Sequence, residues 1–160
     1  MSKLGIVAFA FGVPYTIESN KIIATIAQEN SLEHKAPIYT QSDIVINETL
    51  NINYIEGDQP PTLRIAREAI KWAKKNDLDG LLIIAAAPHI NRAMRDMKMA
   101  IKEAKQKIIL IKCLDVYNYP KAIWFCSNSS QTRTKSKMEW YKREIILKIL
   151  PFFIYKRIAN

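Results

Sequence analysis

Two uninterrupted apolar runs dominate the hydrophobic pattern of the chain. Residues 4–11 (LGIVAFAF) and 81–87 (LLIIAAA) contain no polar side chain, which is typical of strands buried on both faces of a parallel sheet. Residues 107–113 (KIILIKC) form a third run of strand length. Shorter strands are predicted at residues 36–40, 44–46, 52–55 and 122–126.

Segments of helical period separate these runs. Apolar residues recur in them three and four positions apart, so that each segment has an apolar stripe able to pack on a sheet. This pattern predicts helices at residues 19–33, 62–75 and 91–106. A terminal helix is predicted over residues 136–157, kinked or broken at Pro151 because proline lacks the N–H that a helix interior needs.

The alternation of buried strands with helices predicts an α/β fold. We expect a single three-layer domain over residues 1–160, with an open, mostly parallel sheet of about five strands and helices on both faces, a Rossmann-like architecture. The length of 160 residues, 49% of them hydrophobic and 24% charged, fits one globular domain. It does not fit a disordered or fibrous protein.

The formal net charge of +9 is concentrated at the end of the sequence. Residues 129–160 contain eight basic and two acidic side chains, a net charge of +6. Such a segment attracts phosphates on a membrane surface, a soluble ligand or nucleic acid; a solvated helix face is the alternative. We do not expect nucleic-acid binding, because no helix-turn-helix, zinc or RNA-binding signature accompanies the charge.

The terminal helix interleaves aromatic and basic side chains. We expect its apolar residues to cover an open edge or face of the sheet; these residues are Ile145, Ile146, Ile149 and Phe153. The alternative is a non-enzymatic interaction module, in which this helix lies on an anionic membrane surface or in the groove of a protein partner.

The cysteines and the N-terminal segment bear on location. Cys113 and Cys126 have neither a metal-ligand spacing nor the density of a disulfide framework, which predicts free thiols in a reducing compartment. No secretory signal or membrane-spanning run is recognised. We therefore expect a cytoplasmic protein.

Two loops are candidates for a ligand site. In an open parallel sheet, ligands bind beyond the carboxyl ends of the strands, where the strand order reverses. The loop that contains Gly12 follows the first apolar run, and the loop at residues 86–92 follows the second. Neither carries a dinucleotide fingerprint or a phosphate-binding loop with its lysine, so the sequence indicates no particular cofactor.

The second loop carries the richer chemistry. His89, Asn91 and Arg92 stand where the third predicted helix begins, so that free backbone N–H groups and a guanidinium can hold one anion. His89 is the candidate catalytic residue, as an acid or base near neutral pH; a solvated or capping histidine is the alternative. No cluster of His and Cys predicts a metal site.

This part of the chain resembles a known family. Residues 81–96 (LLIIAAAPHINRAMRD) combine a strand, a turn of small residues and the pattern H-x-x-R-A, met by His89 and Arg92. Glu56 stands six positions before Thr62, where a helix is predicted to begin. In these features the chain resembles the YdcF/SanA/ElyC-like family of bacterial α/β domains of unknown function.

A third feature of that family is a terminal helix with an internal glutamate, matched here by Glu139 or Glu144. The chain departs from the family in the turn after the first strand, which reads AFAFGVP in place of a glycine-rich turn. It departs again at Gln59, where the family has serine.

The resemblance and the loop chemistry together predict binding of an anionic or nucleotide-like small molecule. Arg92 would pair with a phosphate or carboxylate, while Glu56 and Thr62 would orient a polar group or His89. The resemblance implies transferase or hydrolase activity in envelope polysaccharide metabolism. A binding protein without catalysis fits the same residues.

Overall fold

The two longest apolar runs form adjacent central strands of a five-stranded, all-parallel sheet. The computed structural model describes residues 3–47, 49–57 and 59–158, and for Phe152 the backbone alone. Residues 1–2 and 159–160 of the predicted domain lie outside the described residues. The predicted α/β class and three-layer arrangement are confirmed.

The strands and helices follow the predicted order, with shorter strands than the apolar runs. The strands are β1 (Leu4–Ala8), β2 (Ile38–Thr40), β3 (Ile52–Tyr54), β4 (Gly80–Ile84) and β5 (Ile109–Lys112). The helices are α1 (Glu18–His34), α2 (Thr62–Lys75), α3 (Ile90–Ala104), α4 (Lys137–Ile149) and α5 (Phe152–Ile158).

The strand order is β3-β2-β1-β4-β5. From β1 the chain builds the sheet outward through β2 and β3, and then returns to the other side of β1 for β4 and β5. The direction of winding therefore reverses between β1 and β4, whose register runs from Leu4 opposite Gly80 to Ala8 opposite Ile84. The carboxyl ends of these two strands are where a ligand site is expected.

Helices pack against the sheet in two groups. α1 contacts β1 and β4, and α2 and α3 pack against each other and against β2, β4 and β5. The side chains of β4 are buried throughout, and those of β1 are buried from Gly5 onward. Full burial of central strands accounts for their lack of polar alternation.

Two of the predicted strands are wrong. Residues 44–46 form part of a loop, although Ile44 and Ile46 are buried in the core. The predicted strand at residues 122–126 is replaced by a 3-10 turn at Lys121–Trp124, in which the N–H of Ile123 donates to the carbonyl of Pro120. In both segments, apolar residues on irregular backbone fill part of the core. The sequence pattern of so short an apolar run is the same as that of a short strand.

The terminal helix is broken at Pro151, as predicted, but its apolar residues do not cover the sheet. The side chains of Ile145, Ile146, Ile149 and Phe153 are 57% to 77% exposed. α4 instead buries Trp140, Glu144 and Leu147. In the part of the chain that the structure describes, no helix combines the length and apolar character needed to cross a membrane.

Candidate functional site

A cleft of about 240 Å³ opens at the carboxyl edge of the sheet, where the winding reverses. It is bounded by the loop after β1, the starts of α2 and α3, the segment at residues 131–134, and helices α4 and α5. Its polar lining residues are Gln41, Asp43, Gln59, Thr62, His89, Arg92, Gln131, Arg133, Thr134, Arg143 and Tyr155. The remaining lining residues include Phe9, Phe11, Gly12 and Trp140.

The loop after β1 is fixed by buried hydrogen bonds. The carboxamide of Asn20 accepts from the N–H of Phe11 at 2.9 Å and donates to the carbonyl of Gly12 at 3.1 Å. The hydroxyl of Ser129 accepts from the N–H of Val13 at 3.3 Å and lies 2.8 Å from that of Thr134. The loop and the distant segment at residues 129–134 are thus hydrogen-bonded to each other and form one wall of the cleft.

Gly12 permits the close approach of these two segments. Its φ of +99° lies in a region that side chains disfavour. A Cβ at this position would lie 2.8 Å from the side chains of Ile17, Ser129 and Thr134. Gly12 therefore serves the construction of the wall, in addition to lining the cleft.

His89 lies at the start of α3 in an aromatic enclosure. Only 3% of its surface is exposed, and its ring meets Phe9, Phe11 and Trp140 at centroid distances of 6.2, 6.1 and 5.4 Å. Burial lowers the pKa of His89 well below its usual range, and the positive charges of three arginines, Arg92 foremost, lower it further. The imidazole is therefore neutral at pH 7.

Arg92 selects the tautomer of this neutral imidazole. Its Nη2 and Nε lie 3.2 and 3.4 Å from Nδ1 of His89. A guanidinium can only donate hydrogen bonds, so Nδ1 carries the lone pair and the ring proton is on Nε2. The site thus presents His89 as a neutral hydrogen-bond donor.

Arg92 is itself held by α4. Its Nε lies 3.2 Å from Oε1 of Glu144, and both side chains are about nine-tenths buried. The guanidinium also lies over the ring of Trp140, 4.9 Å from its centroid. Burial lowers the pKa of Arg92 and raises that of Glu144, and in each case the partner's charge opposes the shift. The ion pair consequently neutralises Arg92 and joins α3 to α4.

Arg133 and Arg143 add positive charge to the cleft without such compensation. Neither arginine forms an ion pair with any of the described residues. Burial lowers the pKa of Arg133 to about 10, and the charges of Arg143 and Arg92 contribute to the shift. The partly buried guanidinium of Arg133 is still protonated at pH 7. Asp43 also lines the cleft and sets one carboxylate against the charges of Arg133 and Arg143, so the cleft carries an excess of positive charge.

Two helices begin at the same cleft. α2 begins at Thr62 and α3 at Ile90, and neither has a side-chain cap or an acidic residue in its first turn. The first N–H groups of a helix lack intrahelical partners and, with the helix dipole, favour a negative charge. Both helix ends therefore add to the positive potential of the arginines.

The far wall of the cleft is α5. The hydroxyl of Tyr155 donates to Oδ2 of buried Asp96 at 2.6 Å, and the guanidinium of Arg95 lies 4.2 Å from the centre of the Tyr155 ring. Lys156 pairs with Glu103 on α3. These contacts fix α5 against α3 and leave Tyr155 lining the cleft.

A side-chain bridge joins two loops at the edge of the cleft. Nε2 of Gln131 donates to Oε1 of Gln59 at 2.8 Å. Both residues line the cleft, and Gln59 has a φ of +45°. The bridge links the segment before α2 to the wall formed by residues 129–134.

The structure brings four of the six predicted site residues to the cleft: Gly12, Thr62, His89 and Arg92. Glu56 and Asn91 are exposed and do not line it. The backbone carbonyl of Glu56 accepts from Nη2 of Arg64 at 3.3 Å. The predicted role of Glu56 in orienting a group near His89 is therefore not supported by its position.

Sequence reasoning missed the contribution of the last third of the chain. Arg133, Arg143, Trp140 and Tyr155 all line the cleft, whereas the sequence pattern assigns the last three only to a terminal helix that covers the sheet. Of the two glutamates left open, Glu144 is the one that pairs with Arg92, whereas Glu139 pairs with Lys142. An acidic residue within the basic terminal segment is a sequence signal for such a pair, but Glu139 and Glu144 share that signal.

No group of three or more His, Cys, Asp or Glu side chains suited to a metal ion is found among the described residues. No family model, curated protein or solved structure matches the chain. The resemblance to the YdcF/SanA/ElyC-like family therefore stays a prediction.

Proposed function

We propose that the protein binds a small anionic molecule, bearing a phosphate or carboxylate group, in the cleft at the carboxyl edge of the sheet. One observation carries this proposal: three guanidinium groups line a single cleft, and only that of Arg92 is neutralised by an ion pair. Burying uncompensated cations is costly. A bound anion would offset that cost for Arg133 and Arg143.

The surrounding groups favour the same ligand chemistry. The starts of α2 and α3 supply backbone donors at the cleft, and Thr62 and Gln131 supply side-chain donors. Planar guanidinium groups bind phosphate and carboxylate through paired hydrogen bonds. The volume of about 240 Å³ lies just below the roughly 300–1,000 Å³ of typical ligand sites, which favours a small ligand.

His89 would act on this ligand as a hydrogen-bond donor. Its neutral ring, with the proton on Nε2, can donate to an anionic oxygen while Nδ1 stays bound to Arg92. A transferase or hydrolase would use the same donor to stabilise negative charge that develops on an oxygen. Because burial and the nearby arginines lower the pKa of His89, little of its protonated form is present at pH 7 to act as a general acid.

The proposal is tested by isothermal titration with inorganic phosphate, pyrophosphate, a mononucleotide and a small dicarboxylate. We expect at least one of these to bind the wild-type protein. The double variant Arg133→Gln/Arg143→Gln should weaken that binding at least about tenfold, because each charge-assisted hydrogen bond is worth roughly 1.5–3 kcal/mol.

Arg64→Gln is the matched control, since Arg64 is exposed on α2 and does not line the cleft. It should leave the affinity unchanged. Equal affinities for the double variant and the wild type, with both proteins folded, would remove the cleft from the binding function. Turnover of the bound ligand, lost in His89→Gln, would separate an enzyme from a binding protein.

We propose that the protein acts in the cytoplasm. Cys113 and Cys126 are free thiols, and Cys113 is buried, as suits a protein of the reducing cytoplasm. A link to envelope polysaccharide metabolism rests on the family resemblance alone.

A further inference from the structure

The outward face of α4 is apolar where a helix on a globular protein is ordinarily polar. Trp140, Glu144 and Leu147 mark the buried side of this helix. Met138, Ile145 and Ile149, spaced by seven and four residues, lie on the opposite side, and each is more than half exposed. An exposed apolar stripe of this kind is typical of an interaction surface.

The exposed apolar surface extends beyond this stripe. Tyr141 and Ile146 flank it on α4, and Phe153 is exposed in the first turn of α5. We call these six residues the α4 face: Met138, Tyr141, Ile145, Ile146, Ile149 and Phe153.

The charges around the α4 face are predominantly positive. Five basic residues between positions 135 and 158 are exposed, namely Lys135, Lys137, Lys142, Lys148 and Arg157, whereas the side chain of Glu139 is 42% exposed and pairs with Lys142. The two acidic residues of this segment are engaged with cations, Glu139 with Lys142 at 3.5 Å and Glu144 with Arg92 at 3.2 Å. The α4 face therefore combines an apolar stripe with a rim of positive charge.

We propose that the α4 face is a peripheral binding site for an anionic lipid membrane. A helix that lies in the plane of a bilayer buries its apolar side chains at the headgroup boundary and presents lysines to anionic lipids. The arrangement of α4 fits this requirement, because Lys137 and Lys148 lie to one side of the stripe and Lys142 lies within it. Sheet and cleft stay on the opposite side of the helix.

The charge distinguishes this partner from a second copy of the chain. Pairing two α4 faces would bring Lys137, Lys142 and Lys148 of both copies together, and such like-charge contacts are unfavourable. An anionic bilayer can bury the apolar stripe at its acyl boundary while its headgroups attract the lysines of the rim.

Co-sedimentation of the full chain with vesicles tests the proposal. We expect binding to vesicles of equimolar phosphatidylcholine and phosphatidylglycerol, and weak binding to phosphatidylcholine alone. The double variant Ile145→Gln/Ile149→Gln should lose at least about tenfold in partition coefficient, since two isoleucines would no longer be buried in lipid. Lys148→Gln, at an exposed lysine for which no ion pair is seen among the described residues, should lose about fivefold, and only with the anionic vesicles.

A control of the same chemistry is available on β5. Ile109 and Ile111 are 65% and 44% exposed, so Ile109→Gln/Ile111→Gln removes equivalent apolar side chains away from α4. This control should bind vesicles as the wild type does. Circular dichroism establishes that each variant is folded. Because the cleft lies on the opposite side of α4, the α4 substitutions should leave the affinity of the cleft for its anion unchanged, so that failure of either proposal is seen separately.

Three results would overturn the proposal. The first is absence of wild-type binding to the anionic vesicles. The second is equal loss of binding in the α4 and β5 double variants. The third is a dimer in light scattering that Ile145→Gln/Ile149→Gln dissociates, since the α4 face would then belong to a second copy of the chain.

Discussion

The neutral state of His89 makes the stability of the protein depend on pH in a defined direction. In the unfolded chain a histidine has a pKa of about 6.5, whereas burial and the neighbouring arginines hold the pKa of native His89 well below that value. As the pH falls below about 6.5, the unfolded state binds a proton that the native state does not bind. Acid therefore favours unfolding.

The magnitude follows from the difference of one bound proton. The free energy of unfolding should fall by up to about 1.4 kcal/mol per pH unit below pH 6.5, until the native pKa is reached. Two pH units below 6.5, the loss attributable to His89 reaches at most about 2.7 kcal/mol. Above about pH 7 the contribution of His89 is fully present and does not vary with pH.

Urea denaturation of the wild type and of His89→Gln, followed by tryptophan fluorescence between pH 7.5 and 4.5, measures this contribution. The raised pKa values of Glu144 and Asp96 act with the opposite sign, but they are shared by both proteins and largely cancel in the difference. The variant should be less stable than the wild type at pH 7.5, and the gap should narrow as the pH falls.

His34→Gln is the control, because His34 is exposed at the end of α1. It should keep the acid-dependent loss of the wild type. Parallel stability profiles for wild type and His89→Gln would refute the reasoning, since His89 would then titrate alike in the native and unfolded states.

Two further substitutions test how the cleft is built. Gly12→Ala should cost roughly 2–5 kcal/mol in thermal or urea denaturation, because it adds backbone strain and close contacts; Gly57→Ala, with φ of +98° but no atom nearer than 3.6 Å, should cost clearly less. Equal costs would contradict the close approach at Gly12. Tyr155→Phe should cost about 1.5–3 kcal/mol, since buried Asp96 loses a 2.6 Å hydrogen bond. Tyr117→Phe, at an exposed site, should cost little, and a cost for it as large as for Tyr155→Phe would argue against the Asp96 contact.

The sequence predicts the architecture well because burial on both faces leaves a plain signal. Residues 4–11 and 81–87 are apolar throughout, and β1 and β4 lie in the centre of the sheet. The irregular segments carry no such signal. Ile44 and the turn at Lys121–Trp124 bury apolar groups from backbone with neither helical nor strand period, so that their local pattern resembles a short strand.

The sequence predicts the part of the candidate site that follows the central strands, but not the part that comes from the last third of the chain. Gly12 and His89 follow the central strands directly, and the topology alone brings their loops together. Arg133 and Arg143 reach the cleft through the tertiary packing of residues 129–158, which no local pattern encodes. The same packing leaves Ile149 exposed where the apolar pattern predicts burial, because its helix contacts the body of the domain through Trp140 and Glu144 and not through its isoleucines.

The ion pair between Arg92 and Glu144 fastens a late segment of the chain to an already complete sheet. Every strand of the sheet ends by Lys112, whereas α4 is capped at Ser136, more than twenty residues later. Local opening that separates α4 from α3 can therefore leave all five strands paired. Such a partly opened state would keep the core of the domain but lose Trp140 and Arg143 from the cleft.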